Sequence, residues 1–257
     1  MIITSDIYKK DLYLNPDIMF VFNTEIIEYD IHDAGYSLTL EYNLLPEEDI
    51  KNLEKLPKHD RHVKLGKIQR KNKEYAKSLK ESFVDIRRRF FEENNVESNS
   101  VISIKKDAIF SMEHCSVKKF GSHVEFRDKN RYSSYIRLPD RTELYYYNGN
   151  VDVKGIDNEN VIKHNNGIME VIKNTFRLAE TESKEVQLRY LGRIATKYKN
   201  LELPVEYYRE FNAGSQFIEK DPENPVTYDD YWEDSKENLE IRYNYFGVII
   251  PLIKILA

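Results

Sequence analysis

The order of three segments limits what this chain can fold into. An apolar run delivering an aspartate comes first, a basic stretch with helical periodicity second, and an apolar run turning on another aspartate third. The first is Glu25-Ile-Ile-Glu-Tyr-Asp30-Ile-His-Asp33-Ala-Gly-Tyr36-Ser-Leu38, and the third is Val101-Ile-Ser-Ile-Lys105-Lys106-Asp107-Ala-Ile-Phe110. Between them Tyr75, Leu79, Phe83, Ile86 and Phe90 recur at spacings of four, four, three and four, which predicts one stripe on a helix from about Lys73 to about Asn94. A helix with a single apolar stripe needs an apolar surface to cover, and the flanking runs supply it as strands. The expected class is therefore α+β, with a mostly antiparallel central sheet backed by helices.

Strand-like patches at Met19–Phe22, Ser122–Phe126, Tyr132–Leu138, Glu143–Tyr147 and Val151–Val153 add to that sheet, and Asn148-Gly149 between two of them signals a tight hairpin. Ala34 to Leu45 reads as a short helix ended by Pro46. A second begins at Pro46, with Glu47, Glu48 and Asp49 behind it where the helix dipole favours acids. Pro57 to Lys71 reads as a polar stretch, and residues 160 to 198 as two helices. The apolar tail from Phe246 to Ala257 is too short to span a bilayer and carries Lys254, so a terminal strand or docking segment is expected. The division that follows is 1–155 for the sheet-bearing part and 156–257 for a helical C-terminal region.

Charge is distributed unevenly. Net charge is −5, yet Lys51 to Phe91 carries 14 Lys and Arg against five Asp and Glu. Glu219 to Glu240 carries two against nine. A basic patch is the footprint of a polyanion partner, and net charge averages it away. Opposite charge leads us to expect the acidic segment Asp221–Asp234 over the basic region. The lone Cys115 excludes an internal disulfide, and no cationic leader precedes an apolar stretch, which together point to a reducing cytoplasmic setting without membrane contact.

Two carboxylates held at strand ends can share divalent ions, as phosphoryl and nucleotidyl transfer requires. Asp30 and Asp107 are the candidates for that chemistry. Acids also end strands for a plainer reason, because they bond nearby backbone N–H groups. Likewise the lysines before Tyr75 suit either phosphate contact or a solvated helix face. The histidines show no zinc-like spacing, Cys115 and His114 have no third partner for thiol catalysis, and His32-Asp33 reads as a surface turn. Neither G-x-x-x-x-G-K nor G-x-G-x-x-G occurs, which disfavours an ATPase or a dinucleotide enzyme.

Over roughly residues 20–115 this order resembles the palm of template-dependent polymerases, nearest to family B DNA polymerases of phages and mobile elements. Their first motif is an Asp ending a strand, followed by a Ser/Leu/Tyr-containing turn, and Asp30-Ile-His-Asp-Ala-Gly-Tyr36-Ser-Leu38 is similar. Their last is a hairpin tipped Asp-Thr-Asp-Ser, which Lys105-Lys106-Asp107-Ala108 resembles with only the second acid retained. The Asn-Ser-x-Tyr-Gly signature of the middle motif is absent. The resemblance implies Mg²⁺ (or Mn²⁺) on Asp30 and Asp107 and a sugar-facing Tyr36. It also implies phosphate contacts from Lys64, Lys67, Arg70, Lys71, Lys105 and Lys106. The partners implied are a nucleic acid and a nucleoside triphosphate, in a minimal or degenerate nucleotidyltransferase of phage or mobile-element replication. The competing class is a non-enzymatic phage-type protein that binds nucleic acid, a host protein or a replication protein.

Overall fold

A computed structural model describes residues 6–155, 165–200, 202–204, 207–208 and 244–257. The acidic segment Asp221–Asp234 lies outside the described residues. Two compact units divide the chain: residues 1–17 with 26–131, and residues 18–25 with 132–257.

The first unit holds a six-stranded sheet in the order β1-β4-β5-β3-β7-β6. Its strands are β1 (Leu12–Leu14), β3 (Ile26–Ile31), β4 (Val101–Lys105), β5 (Ala108–Ser111), β6 (Lys119–Phe120) and β7 (Val124–Tyr132). β3 and β4 both pair antiparallel with β5. Among the described residues four α-helices belong to this unit: α1 (Ala34–Glu41), α2 (Glu47–Glu54), α3 (Lys58–Lys71) and α4 (Lys73–Asn94). The expected stripe is the core face of α4: Tyr75, Leu79, Phe83, Ile86 and Phe90 are all buried. Each such side chain is worth roughly 1.5–3 kcal/mol on transfer from water. Phe90 is the hub, with ring centroids 5.2 Å from Tyr29, 4.4 Å from Phe126 and 6.1 Å from Phe120. Asn72 caps α4 by accepting from the Tyr75 N–H, and Asn95 ends it in the left-handed region.

The polar stretch before α4 is a correction to the sequence reading, because residues 58–71 are helical. Only Leu65 in this helix is fully buried, so its apolar signal is too thin to be read as a stripe. Pro57 stands at its N-cap, ahead of its first turn.

The second unit holds a four-stranded antiparallel sheet, β10-β9-β8-β2. Its strands are β2 (Phe20–Val21), β8 (Ser134–Arg137), β9 (Glu143–Tyr147) and β10 (Asn150–Lys154). Asn148 and Gly149 both take positive φ between β9 and β10, as the expected tight hairpin requires. Its helices among the described residues include α5 (Asn166–Thr181), α6 (Lys184–Lys199) and α7 (Ile250–Leu256). Tyr146 of β9 stacks on Phe176 of α5 with centroids 5.0 Å apart. The apolar tail is helical rather than a terminal strand: residues 244–249 form a π-helical segment that runs into α7. Pro251 sits in the first turn of α7. Leu252 and Leu256 pack into the core. The class is α+β with a helical C-terminal part, as expected, and no described helix is long and apolar enough to cross a membrane.

Arg87 fixes the β4–β5 hairpin. It is fully buried, and its Nε and Nη1 donate to the carbonyls of Tyr8 (2.7 Å) and Lys106 (2.6 Å), while Nη2 reaches Asp11 Oδ1 at 3.0 Å. Arg87→Met would leave two carbonyls without this donor. It should cost on the order of 3–5 kcal/mol, read as a lowered urea midpoint. A midpoint within error of the wild type would mean that other contacts hold the hairpin.

Candidate functional site

Side chains alternate along a strand, so β3 has two chemically different faces. Ile27, Tyr29 and Ile31 face one way and join the core that α4 covers. Glu28 and Asp30 face the other way. Antiparallel register sets Asp30 opposite Ala108, and Ala108 opposite Lys105, so these three residues form one cross-strand row.

Asp107 is brought beside this row by the two-residue turn Lys106-Asp107, and its carbonyl accepts the Ile31 N–H at 3.2 Å. The turn is strained and pinned. Lys106 has φ of 54°, uncomfortable for a residue with a Cβ, and its N–H bonds Asp11 O at 2.7 Å. With the Arg87 bond on its carbonyl, both backbone groups of Lys106 are held. The Lys106 ammonium lies 5.0 Å over the Phe83 ring.

The two predicted aspartates are thus neighbours and influence each other electrostatically. Burial raises the Asp30 carboxyl above its ordinary value. Lys129 opposes that shift, while the charges of Asp107 and Glu28 add to it. Lys129, on β7, places its Nζ 3.3 Å from Glu28 Oε1 and 3.6 Å from Asp30 Oδ2. Burial by itself would lower the Lys129 ammonium, but the charges of Glu28 and Asp30 outweigh it and raise it. The two upward shifts are compatible. Lysine gains from two carboxylates, whereas Asp30 bears the cost of burial and two like charges against one ammonium. Glu28, only 1% exposed, also accepts from Asn130 Nδ2 at 2.7 Å. The Asp107 carboxylate makes no hydrogen bond or ion pair with a described residue.

The donor set is one of hard oxygens, suited to Mg²⁺ or Mn²⁺. Among the described residues no group of three or more His, Cys, Asp or Glu is placed to hold an ion by itself. Two carboxylates are nevertheless the ordinary protein contribution where Mg²⁺ is bound together with substrate phosphates.

A second charged cluster was not expected from the sequence. Asp33 stands at the N-cap of α1 with φ of 50°, buried, and its backbone carbonyl accepts from Tyr36 and Ser37. Its carboxylate takes Arg61 Nη2 at 2.6 Å and the His62 Nε2. The reading of His32-Asp33 as a surface turn holds only for the exposed His32. Tyr36 is buried under the Arg61 guanidinium, 4.1 Å from its ring centroid. These contacts seat the first turns of α3. Further along, Lys64, Lys67, Arg70 and Lys71 make no ion pair with a described residue, and all but the half-buried Lys64 are exposed.

Residues 3–257 match the family described as Bacteriophage PBS1 gene 130 protein. The chain belongs to that family. It is accordingly a phage protein, and comparison with curated proteins gives no match.

In this phage protein the residues that sequence reasoning missed are Glu28, Lys129, Asp33, Arg61 and His62. Glu28 lies two positions before Asp30, so strand alternation was a usable signal for it. Lys129 carries none, because only the pairing of β7 beside β3 brings it there.

The raised Asp30 carboxyl has a definite pH signature. The native state holds the proton more tightly than the unfolded chain does. Stability therefore falls as pH rises from the unfolded carboxyl range, about 4, through the higher native value, and returns on acidification. Asp30→Asn should be more stable than the wild type above that window and lose its advantage below pH ~4. Chemical unfolding across pH 4 to 8 checks this. An advantage that persists undiminished in acid would trace to packing rather than ionisation.

Proposed function

We propose that this phage protein handles nucleic acid through a palm-like first unit, in which Asp30 and Asp107 receive a divalent cation together with phosphate groups. The observation that carries the reading is the register. An aspartate at the end of β3 adjoins the aspartate at the tip of the β4–β5 hairpin, with the Ile31 N–H to Asp107 C=O bond joining the two segments.

Bound there, Mg²⁺ (or Mn²⁺) would neutralise charge on phosphate oxygens and polarise a phosphorus–oxygen bond for nucleotidyl transfer. The chain's own part is positional. Arg87 and Asp11 hold the hairpin tip so that Asp107 stays beside Asp30. Lys64, Lys67, Arg70 and Lys71 offer cations to a phosphate backbone, and Lys105 and Lys106 flank the tip. Tyr36, under Arg61, supports the N-terminal turns of α1 and α3. The ligand class is a nucleic acid, with a nucleoside triphosphate where transfer occurs.

A second reading is favoured by two features of the same site. Lys105 stands where the resembled hairpin has its first acid, and Lys129 already partly neutralises Glu28 and Asp30. Both features favour holding phosphate over the two-ion chemistry that transfers it. In that reading the palm-like unit is a scaffold, and the basic helix binds nucleic acid or a host or replication protein without turnover.

Calorimetric titration with MnCl₂ tests the metal assignment. Wild-type protein should bind, and Asp107→Asn should lose binding while the apo protein stays as stable or gains slightly, since a like charge is removed. Loss of fold with an unchanged metal response would make Asp107 a structural turn residue. Primer extension by the wild type, abolished in Asp107→Asn, would separate transfer from mere phosphate binding.

Replacing Lys64, Lys67, Arg70 and Lys71 by Gln should weaken binding of single-stranded or duplex nucleic acid. The salt slope should flatten by about 0.7–0.9 for each phosphate that is no longer neutralised. A wild-type protein that binds neither DNA nor RNA at low salt would move the partner to a protein.

A further inference from the structure

The outer face of α4 carries a cavity that neither the acid row nor α3 accounts for. Its volume is about 490 Å³, within the range of small-ligand sites. One wall is Tyr8 with Lys9, from the 3₁₀ turn Asp6–Lys9. The other is α4, through Lys77, Lys80, Glu81, Val84, Asp85 and Arg88. These positions recur every three or four residues off the buried stripe, so they share one outward face of the helix. Tyr8 is set in place from two sides. Ile7 before it is buried in the core, and the Tyr8 carbonyl accepts from Arg87 Nε at 2.7 Å. The half-buried Tyr8 ring and Val84 give the cavity its apolar part. The Lys9 ammonium stands 5.7 Å from the Tyr8 ring centroid, so aromatic surface and positive charge adjoin.

The charges around the cavity are unequally engaged. Asp85 accepts from Tyr42 Oη at 2.8 Å and from Arg88 Nη2 at 2.6 Å, and Arg88 also reaches Glu92 at 2.6 Å. The Lys9–Asp6 pair at 3.0 Å and the Lys77–Glu81 pair at 3.8 Å join side chains that are all more than half exposed, and such pairs hold weakly. Lys80 makes no ion pair with a described residue. Lys9, Lys77 and Lys80 can therefore turn to an incoming anion at little cost. Lys73, also without an ion pair, extends the row Lys73, Lys77, Lys80 to the start of α4, over about 10 Å of helix axis.

We propose that this cavity seats an unpaired base of a single-stranded nucleic acid, the base against Tyr8 and Val84 and the adjoining phosphates on Lys9, Lys77 and Lys80. A ligand here must offer a flat, largely apolar body with negative charge beside it, and a nucleotide combines the two. The lysine row leading out along α4 suits a ligand that carries phosphates on from that base rather than one isolated anion. A base paired in a duplex reaches such a cavity only by leaving its partner, so the site selects single strands. The inference rests on the reading of the ligand as a nucleic acid and not on a metal at Asp30 and Asp107.

Fluorescence anisotropy with a short labelled oligo-thymidine strand, alone and annealed to its complement, decides the matter for full-length wild type, Tyr8→Leu, Tyr8→Trp and the double variant Lys77→Gln with Lys80→Gln. Tyr8→Leu should weaken single-strand binding about tenfold, the scale of one lost base stack, and leave duplex binding unchanged. Tyr8→Trp should bind the strand at least as tightly as the wild type. The double variant should flatten the single-strand salt slope by about 0.7 for each phosphate no longer neutralised. Equal strand affinity of wild type and Tyr8→Leu would overturn the cavity as a base site while leaving the α3 contacts intact. A wild type that binds neither strand nor duplex would overturn both readings. Tyr8→Leu keeps the carbonyl that Arg87 holds. Where it nevertheless does not fold, a strand carrying bromouracil is cross-linked to the wild type by ultraviolet light and the adduct mapped by mass spectrometry. Cross-links at Tyr8 are expected, and cross-links confined to other segments would overturn the proposal.

Discussion

The site depends on one buried guanidinium. Arg87 is carried into the interior by the same helix whose apolar stripe builds the core, and it meets there the carbonyls of Tyr8 and Lys106 together with Asp11. These partners lie 79, 19 and 76 residues away in sequence, so a single side chain ties the N-terminal segment to the hairpin tip. A two-residue turn that places a lysine at positive φ is not stable for its own sake. It persists because the Lys106 N–H and C=O both have fixed partners, and the position of Asp107 follows from that.

Charge then divides by depth. The inner cations are engaged by the fold: Arg87 on backbone carbonyls and Arg61 on the buried Asp33. The neighbours of Arg87 are taken as well, Arg88 by Asp85 and Glu92 and Arg89 by Glu93. Among the described residues Lys55, Lys58, Lys73 and Lys80 make no ion pair, and neither do Lys64, Lys67, Arg70 and Lys71, on α3 beyond its first turns. Seating the start of α3 on Asp33 is what presents this unpaired set on a helix with little apolar surface of its own. The three arginines of α4 are thus engaged by the fold, whereas the later cations of α3 are not, a distinction that net charge over the whole segment conceals.

The legible parts of the sequence are those where one local pattern decides. The α4 stripe predicts the helix as found, from about Lys73 to about Asn94, and Asn148-Gly149 predicts its hairpin. Both aspartate-bearing runs are strands, and register makes Asp30 and Asp107 neighbours. What was hidden needed tertiary information. Helix α3 has only Leu65 fully buried and exposes Val63, so its periodicity is weak. For the tail the sequence leaves open a terminal strand or a docking segment, and residues 244–256 are helical. Lys129 reaches the acids across neighbouring strands, and no spacing in the sequence encodes that.

The composition of the acidic face bears on what chemistry it can support. Two-ion phosphoryl transfer needs oxygens enough to hold ions about 3.5–4 Å apart, whereas one Mg²⁺ that keeps its waters and shares a phosphate needs only one or two carboxylates. On the proposed reading Asp30 and Asp107 would meet the second requirement together with a phosphate. They meet the first only if Glu28 joins them, and Glu28 is the carboxylate nearest to Lys129, while the hairpin position that would supply another acid is Lys105. Each lysine adds positive charge where a second ion would otherwise add it. On the proposed reading, Lys105 and Lys129 favour gripping phosphate with one ion over transferring it with two.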